Sequence, residues 1–315
     1  MNVLVFEFLV GGGAVDQHPF DNGLANFLEQ GHSMLLPLCE DLIAAGHNVV
    51  VPVDCHVDVR LPSLVETINV SLDTDLQELL CGEAEQCDAV IVIAPESHRC
   101  LESILEWLEP FSDKLVSPHL EFVQLTGNKW KCSSFLRKHG IPVPRTWKVQ
   151  SAEQVALLNW RPNRLLVAKP LMGAGSEHVM MVSHRNQLAQ LEYPFLLQTF
   201  APGTPVSVSV VNGKLMEPGI QVFDREPFGI HVRTDFPLPL EQRERALNLA
   251  NRVVDCLPTA QGYFGMDMVI GETSDQDVLI EVNPRLTTSY GFLRAWQDKS
   301  IPLPFADVDS LAHRK

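Results

Sequence analysis

Two stretches decide the fold: Val278-Leu279-Ile280-Glu281-Val282-Asn283-Pro284-Arg285, and upstream of it Gly265-Met266-Asp267-Met268-Val269-Ile270. Both have the length and the apolar, β-branched content of strands. Glu281 and Asn283 are two residues apart, so their side chains share one face. A turn around Thr273 to Asp277 makes the runs antiparallel neighbours and brings Asp267 to the same face. Three oxygen donors with no histidine or cysteine suit Mg²⁺ or Mn²⁺, not zinc. The other reading is a set of solvated strand carboxylates. Glu281, however, sits among Leu279, Ile280 and Val282, where an idle charge is costly to bury, so ligation is preferred. Arg285 follows at once. Its planar fork can hold a carboxylate or a phosphorylated intermediate, or else steady the acidic residues as an ion pair.

Moving towards the N-terminus, Lys169 ends the apolar run Leu165-Leu166-Val167-Ala168, and Gly173-Ala174-Gly175-Ser176 follows. An ammonium beside a glycine loop suits a polyphosphate, because glycines let backbone N–H groups approach oxygens with no Cβ in the way. The loop is not a Walker loop, since no GKS or GKT occurs and it joins two strands, at 165–169 and 178–182. No dinucleotide fingerprint occurs either. Taken alone, a lysine before an ordinary turn reads equally well.

The first third alternates strand and helix: strands at 2–10, 48–53 and 88–93, helices at 23–46, 72–80 and 97–109. That order implies a parallel sheet covered on both faces. A helix at 128–139 follows. Prolines 142 and 144 then force an extended segment to Thr146. A strand at 195–199, a hairpin through Asn212-Gly213 and a helix at 241–256 precede the two opening strands. The fold class is α/β, becoming α+β towards the C-terminus.

Composition narrows the function. The chain has 315 residues, 45% of them hydrophobic, with 24 basic against 39 acidic residues and a net charge of -15. That supports a large core and more than one lobe. It argues against nucleic acid as a partner, since phosphate backbones need clustered Lys and Arg. The cysteines, an odd 7, form no CxxC pair and read as free thiols of a reducing compartment. The apolar N-terminus lacks a basic n-region and carries Glu7, so it reads as a first strand ending in a glycine turn and not as a signal peptide or membrane span. The expected compartment is the cytoplasm, with no membrane partner.

The order of these motifs resembles the ATP-grasp superfamily. The resemblance implies a Rossmann-like parallel-sheet domain over 1–122, a small ATP-grasp lobe with the glycine loop over 123–197, and a large lobe with the metal site over 198–315. It also implies ATP and two Mg²⁺ or Mn²⁺ ions as cofactors. Lys129, Lys169 and the loop residues Gly173, Gly175 and Ser176 would then contact phosphates. Gln198 and the backbone at Phe200 and Ala201 would face adenine. Asp267, Glu281 and Asn283 would hold the metals, and Arg285 with Lys169 would serve the chemistry. Two departures stand out. The phrase Gly203-Thr204-Pro205-Val206-Ser207 lacks the acidic residue often found there for ribose, and Gly265 stands where some amino-acid ligases have arginine.

A narrower resemblance rests on Gly11-Gly12-Gly13, Ile93-Ala94-Pro95-Glu96, Leu125-Thr126-Gly127-Asn128-Lys129 and Asn283 to Tyr290. These phrases are similar to the tyramine–L-glutamate ligases of methanofuran biosynthesis. The similarity implies a small-molecule acid and amine as substrates. Gly12, Gly13, Thr287, Thr288, Ser289 and Tyr290 would line their site, Tyr290 offering a ring to an aromatic amine. The hydroxyl-rich turn can equally cap a helix starting near Phe292. Two other functions stay open, a non-catalytic ATP-binding protein and a small-molecule kinase, as does a homodimer.

Overall fold

The computed structural model describes residues 1–18, 20–157, 165–173, 175, 178–191, 193–225 and 229–297. Its first sheet is built from β1 (Asn2–Glu7), β2 (Asn48–Asp54), β3 (Val65–Val70) and β4 (Ala89–Ile93), all parallel in the order β3-β2-β1-β4. Helices α1 (Asn22–Ala44), α2 (Leu76–Gln86) and α3 (Cys100–Trp107) complete this region. Val3 to Phe6 are fully buried, as expected of a strand in a sheet covered on both faces. Asp21 and Asp75 open α1 and α2 by accepting from the backbone N–H of Leu24 and Glu78, the usual N-cap interaction. The strand expected at 2–10 ends at Glu7 because the chain turns back, with Gly11 N–H donating to the Glu7 carbonyl at 2.7 Å.

Two helices follow, α4 (Leu120–Thr126) and α5 (Lys129–Lys138), the latter capped by the Asn128 side chain accepting from Lys131 N–H. The second sheet is antiparallel and ordered β5-β8-β6-β7. It comprises β5 (Thr146–Val149), β6 (Leu166–Pro170), β7 (Met180–Val182) and β8 (Phe195–Thr199), with the short α6 (Ala152–Leu157) after β5. Lys169 therefore lies on β6, and the glycine loop joins β6 to β7 as read from the sequence.

The third sheet runs β12-β11-β9-β13-β14, with β10 paired to β9. Its strands are β9 (Thr204–Val211), β10 (Lys214–Leu215), β11 (Gly219–Phe223), β12 (His231–Asp235), β13 (Tyr263–Ile270) and β14 (Val278–Asn283). Helix α7 (Leu240–Cys256) covers this sheet with Ala246, Leu249, Ala250 and Val253, the i, i+3, i+4, i+7 spacing of an amphipathic helix.

The last described helix, α8 (Ser289–Trp296), packs on α1. Leu286, Tyr290 and Leu293 share one buried cluster with Leu35, Leu38 and Leu42 of α1. The core thus continues from the first sheet into the third. Gly262 belongs to the same junction. Its φ is +66°, and a Cβ there would lie 1.7 Å from the Val116 carbonyl oxygen, so only glycine fits.

Candidate active site

A metal site on these two strands requires Asp267 to share a face with Glu281. In the structure β13 and β14 pair antiparallel with Asp267 directly opposite Glu281 and Gly265 opposite Asn283. Asn283 Nδ2 donates to Asp267 Oδ2 at 2.8 Å. The other carboxylate oxygen accepts from Gln221 Nε2 on β11 at 2.9 Å. Gln221 was not singled out from the sequence, because the β-hairpin signature ends before it.

Two lysines reach this pair of acids from other elements. Lys129 Nζ lies 2.6 Å from Glu281 Oε2, and Lys169 Nζ lies 3.7 Å from the same oxygen. Burial pushes the Glu281 carboxyl up, but the two ammoniums overcome it and hold the group below the usual range. Asp267 shows the opposite outcome. Burial and then the Glu281 charge raise it to about 6. Burial also pulls Lys169 down to about 8. For Lys129 burial acts in the same direction, but Glu281 and Glu96 more than offset it. The cluster therefore has two half-buried carboxylates in mutual repulsion with oxygen-only donors. A divalent cation would relieve that repulsion, and the donor set fits Mg²⁺ or Mn²⁺.

These groups lie on the wall of a cavity of about 510 Å³, within the range of small-molecule sites. The same cavity is lined by Lys129, Lys169, Gly173, Gly175, Gln198, Phe200 and Ala201. Asp267, Glu281, Asn283, Arg285, Thr287, Thr288 and Ser289 line it too. Residues far apart in sequence are thus brought together. Gln198 is buried, its Nε2 donating to Thr146 Oγ1 at 2.9 Å. Gly175 lies against α1, where a Cβ would meet the Phe27 ring at 2.5 Å. Ser176 lies outside the described residues.

Arg285 has a partner that the sequence did not suggest. Its Nη2 donates to Glu96 Oε2 and its Nε approaches Glu96 Oε1, each at 3.1 Å. The ion pair ties the end of β14 to the loop after β4, and does not run to Asp267 or Glu281. A neighbouring acid, Glu7, is buried at the end of β1 and raised to about 7, chiefly by burial. Its Oε2 accepts from Val10 N–H at 2.8 Å. In the fold Glu7 keeps a proton that the unfolded chain loses near 4.5. Stability should therefore fall as pH rises from that value to about 7, relative to Glu7→Gln, by on the order of 3 kcal/mol. Urea midpoints of both proteins at pH 5 and pH 8 check this. A constant difference between the two would contradict it.

Three expected substrate residues are not where the sequence reading put them. Tyr290 is fully buried, with its hydroxyl donating to Asp41 Oδ2 at 2.6 Å and its ring edge-on to Tyr263. It faces α1 because the second residue of α8 falls on the helix's apolar side. Gly12 turns at φ +84° against Val70, and a Cβ on Gly13 would lie 2.4 Å from the Phe8 ring. Both shape the turn after β1 and neither lines the cavity among the described residues. The capping alternative for the hydroxyl turn also fails. Helix α8 begins at Ser289, and Thr288 forms no side-chain cap. Its hydroxyl instead meets His231 Nδ1 at 2.7 Å, while His231 Nε2 meets Thr234 Oγ1 at 2.9 Å. Burial lowers His231 to about 4, so this cavity-lining ring is neutral at pH 7. No motif marked it, because β12 carries neither strict alternation nor a turn signature that the sequence reading could use.

Comparison with known proteins follows the same lines. A family model described as an ATP-grasp domain matches residues 126–289, just over half of the chain. The tyramine–L-glutamate ligase of Methanocaldococcus jannaschii is 24% identical over 299 residues, covering 92% of this chain and 84% of that protein. Among solved structures, the D-alanine–D-alanine ligase of Bacillus anthracis complexed with ATP superposes with a TM-score of 0.65 at 15% identity, covering 99% of this chain and 96% of that one. The L-amino acid ligase of Bacillus licheniformis gives 0.64 at 19% identity, covering 90% of this chain and 66% of that one. At these identities the structural likenesses speak for the fold.

Proposed function

Because this chain belongs to the ATP-grasp family, we propose that it is an ATP-dependent carboxylate–amine ligase that forms an amide through an acyl phosphate, with L-glutamate as the acid, through its γ-carboxyl, and tyramine as the amine. The observation that carries the reaction class is the half-buried cluster of Lys129, Lys169, Asp267 and Glu281 on one wall of the cavity. Such a cluster binds a polyanion and its counter-cations, and a binding surface for neutral ligands has no use for it. The choice of glutamate and tyramine rests on the similarity to the Methanocaldococcus jannaschii enzyme.

In this reading the γ-phosphoryl group of ATP passes to the substrate carboxylate, ADP departs, and the amine displaces phosphate from the acyl phosphate. Divalent ions held by Asp267, Glu281 and Asn283 would neutralise phosphate charge when bound. Lys129 and Lys169 supply fixed cations to the same phosphates, and each must exchange Glu281 for phosphate oxygen as ATP enters. Arg285 lines the cavity with its guanidinium held in place by Glu96 and the Leu286 carbonyl, and a fixed cation beside the phosphates is the useful property in a group that stabilises developing negative charge. Thr287, Thr288 and Ser289 supply hydroxyls for the polar head group of the acid. Acyl phosphates hydrolyse in water, so the reacting groups must be kept from it; Gly173 and Gly175 line the cavity, with Gly175 against Phe27 of α1.

The test is ADP release with a panel of acids crossed with amines, glutamate with tyramine included. ADP formation that requires both an acid and an amine is the expected result. Release with the acid alone, together with a stable phosphorylated product, would make the protein a kinase. No release with any pair, alongside measurable ATP binding, would make it a non-catalytic nucleotide-binding protein.

A further inference from the structure

One cavity-lining histidine has no part in the chemistry above. His231, on β12, lines the cavity together with Thr288, which caps the start of α8. Its ring meets two aromatic neighbours edge to face, with centroids 6.1 Å from Phe223 and 5.6 Å from Phe292. Both of its nitrogens are engaged. Nδ1 lies 2.7 Å from Thr288 Oγ1, and Nε2 lies 2.9 Å from Thr234 Oγ1. Thr234 Oγ1 in turn donates to Ser289 Oγ at 3.2 Å. Side chains of β12 and of the start of α8 thus form one chain of hydrogen bonds, Thr288–His231–Thr234–Ser289.

Proton counting gives this chain a direction. A neutral imidazole carries one N–H and one lone pair, and a hydroxyl has a single proton to give. The Thr234 proton goes to Ser289, so the contact between Thr234 and the ring is filled by the Nε2 proton. Nδ1 is then the bare nitrogen, and it takes the Thr288 proton. The Thr288 oxygen is left with lone pairs only. The other tautomer would set an N–H against Thr288 and free the threonine's own proton for the cavity. Burial lowers His231 to about 4. At neutral pH the ring therefore stays uncharged; a charged ring would donate from both nitrogens and reverse Thr288.

We propose that His231 is a positioning residue that fixes Thr288 as a hydrogen-bond acceptor, and that Thr288 receives the ammonium group of an amino acid serving as the acid substrate. The inference rests on the ligase reading and narrows its substrate class. An ammonium has only protons to offer, so an oxygen that can only accept is its match. A hydrogen bond from a charged donor is about twice as strong as a neutral one. An acid without the amino group would leave the Thr288 lone pairs facing a methylene with no donor, which is how a polar site rejects an analogue. His231 acts through Thr288. The attacking amine is the other N–H donor in the reaction, and the test separates the two.

The test compares L-glutamate with glutarate, which lacks the amino group, in ADP release by the full-length protein at saturating ATP and tyramine. If the panel selects another amino acid, that acid and its counterpart without the amino group take their place. In the wild type kcat/KM should favour the amino acid by about a hundredfold or more. Thr288→Val should cut that ratio by about tenfold or more, through the KM of the amino acid, and Thr288→Ser should retain it. His231→Phe keeps a ring between Phe223 and Phe292 and removes both nitrogens, and it should cut the ratio similarly. His231→Asn, whose amide oxygen can take the Thr288 proton, should recover part of the loss. A histidine that only packs would lower both acids alike in His231→Phe. That result, a wild-type ratio near one, or a Thr288→Val variant that raises the tyramine KM with the acid ratio unmoved would overturn the inference and leave the ligase reading standing. No ADP release with any acid and amine would overturn both.

Discussion

Glu281→Gln is expected to lose ATP turnover by about a thousandfold or more, the scale of removing a group that organises transition-state charge. It is also expected to lose stability. Glu281 neutralises Lys129 at 2.6 Å and Lys169 at 3.7 Å, and leaving buried charge without its partner costs about 3–5 kcal/mol. Low activity in that variant alone would therefore be ambiguous. Asp267→Asn separates the two effects. Asp267 is already pushed up to about 6 by burial and by its neighbour Glu281, so removing its charge relieves repulsion while sacrificing one of its two hydrogen bonds. Its melting temperature should stay near that of the wild type while turnover falls as far as in Glu281→Gln. Coupled ADP-release assays with paired thermal melts read both. Near-wild-type turnover in Asp267→Asn would remove Asp267 from the catalytic cluster.

The second large effect is on folding. Tyr290→Ala should destabilise the protein by about 3–5 kcal/mol, the range for emptying a fully buried aromatic site. The ring packs in the cluster shared by α1 and α8, and its hydroxyl donates to Asp41, which also takes Arg294. Tyr290→Phe keeps the packing and loses the hydroxyl, so it should cost about 1–3 kcal/mol. The discriminating readout is kinetic: Tyr290→Phe should leave both substrate KM values unchanged. A raised amine KM in a folded Tyr290→Phe protein would return the residue to the substrate site, where the sequence pattern had put it.

The contrast between Tyr290 and Glu281 shows what a local pattern can carry. Both were singled out from the same short stretch. Glu281 was placed correctly because strand periodicity of two says which side chains share a face, and an antiparallel turn says which residue lies across. Tyr290 was misplaced because its direction depends on which helix α8 meets, and that helix is α1, near the other end of the chain.

The sequence by itself determined three of the four parallel strands of the first sheet, β3 being the one not read, together with the strand–loop–strand around Lys169 and the facing of Asp267, Glu281 and Asn283, since each follows from periodicity or turn chemistry within a few residues. Strands β11 and β12 were not legible, because Pro218 and the polar run from His231 to Asp235 hide any strict alternation. Tertiary structure alone decided which charges meet. Lys129 finds Glu281, Arg285 finds Glu96 and Tyr290 finds Asp41 across 152, 189 and 249 residues of chain. An ionic or hydrogen-bond partner is chosen by proximity in space, and for a buried charge by the cost of having no partner. That cost does not exist until the chain has closed around the group, so no local pattern in the sequence records it.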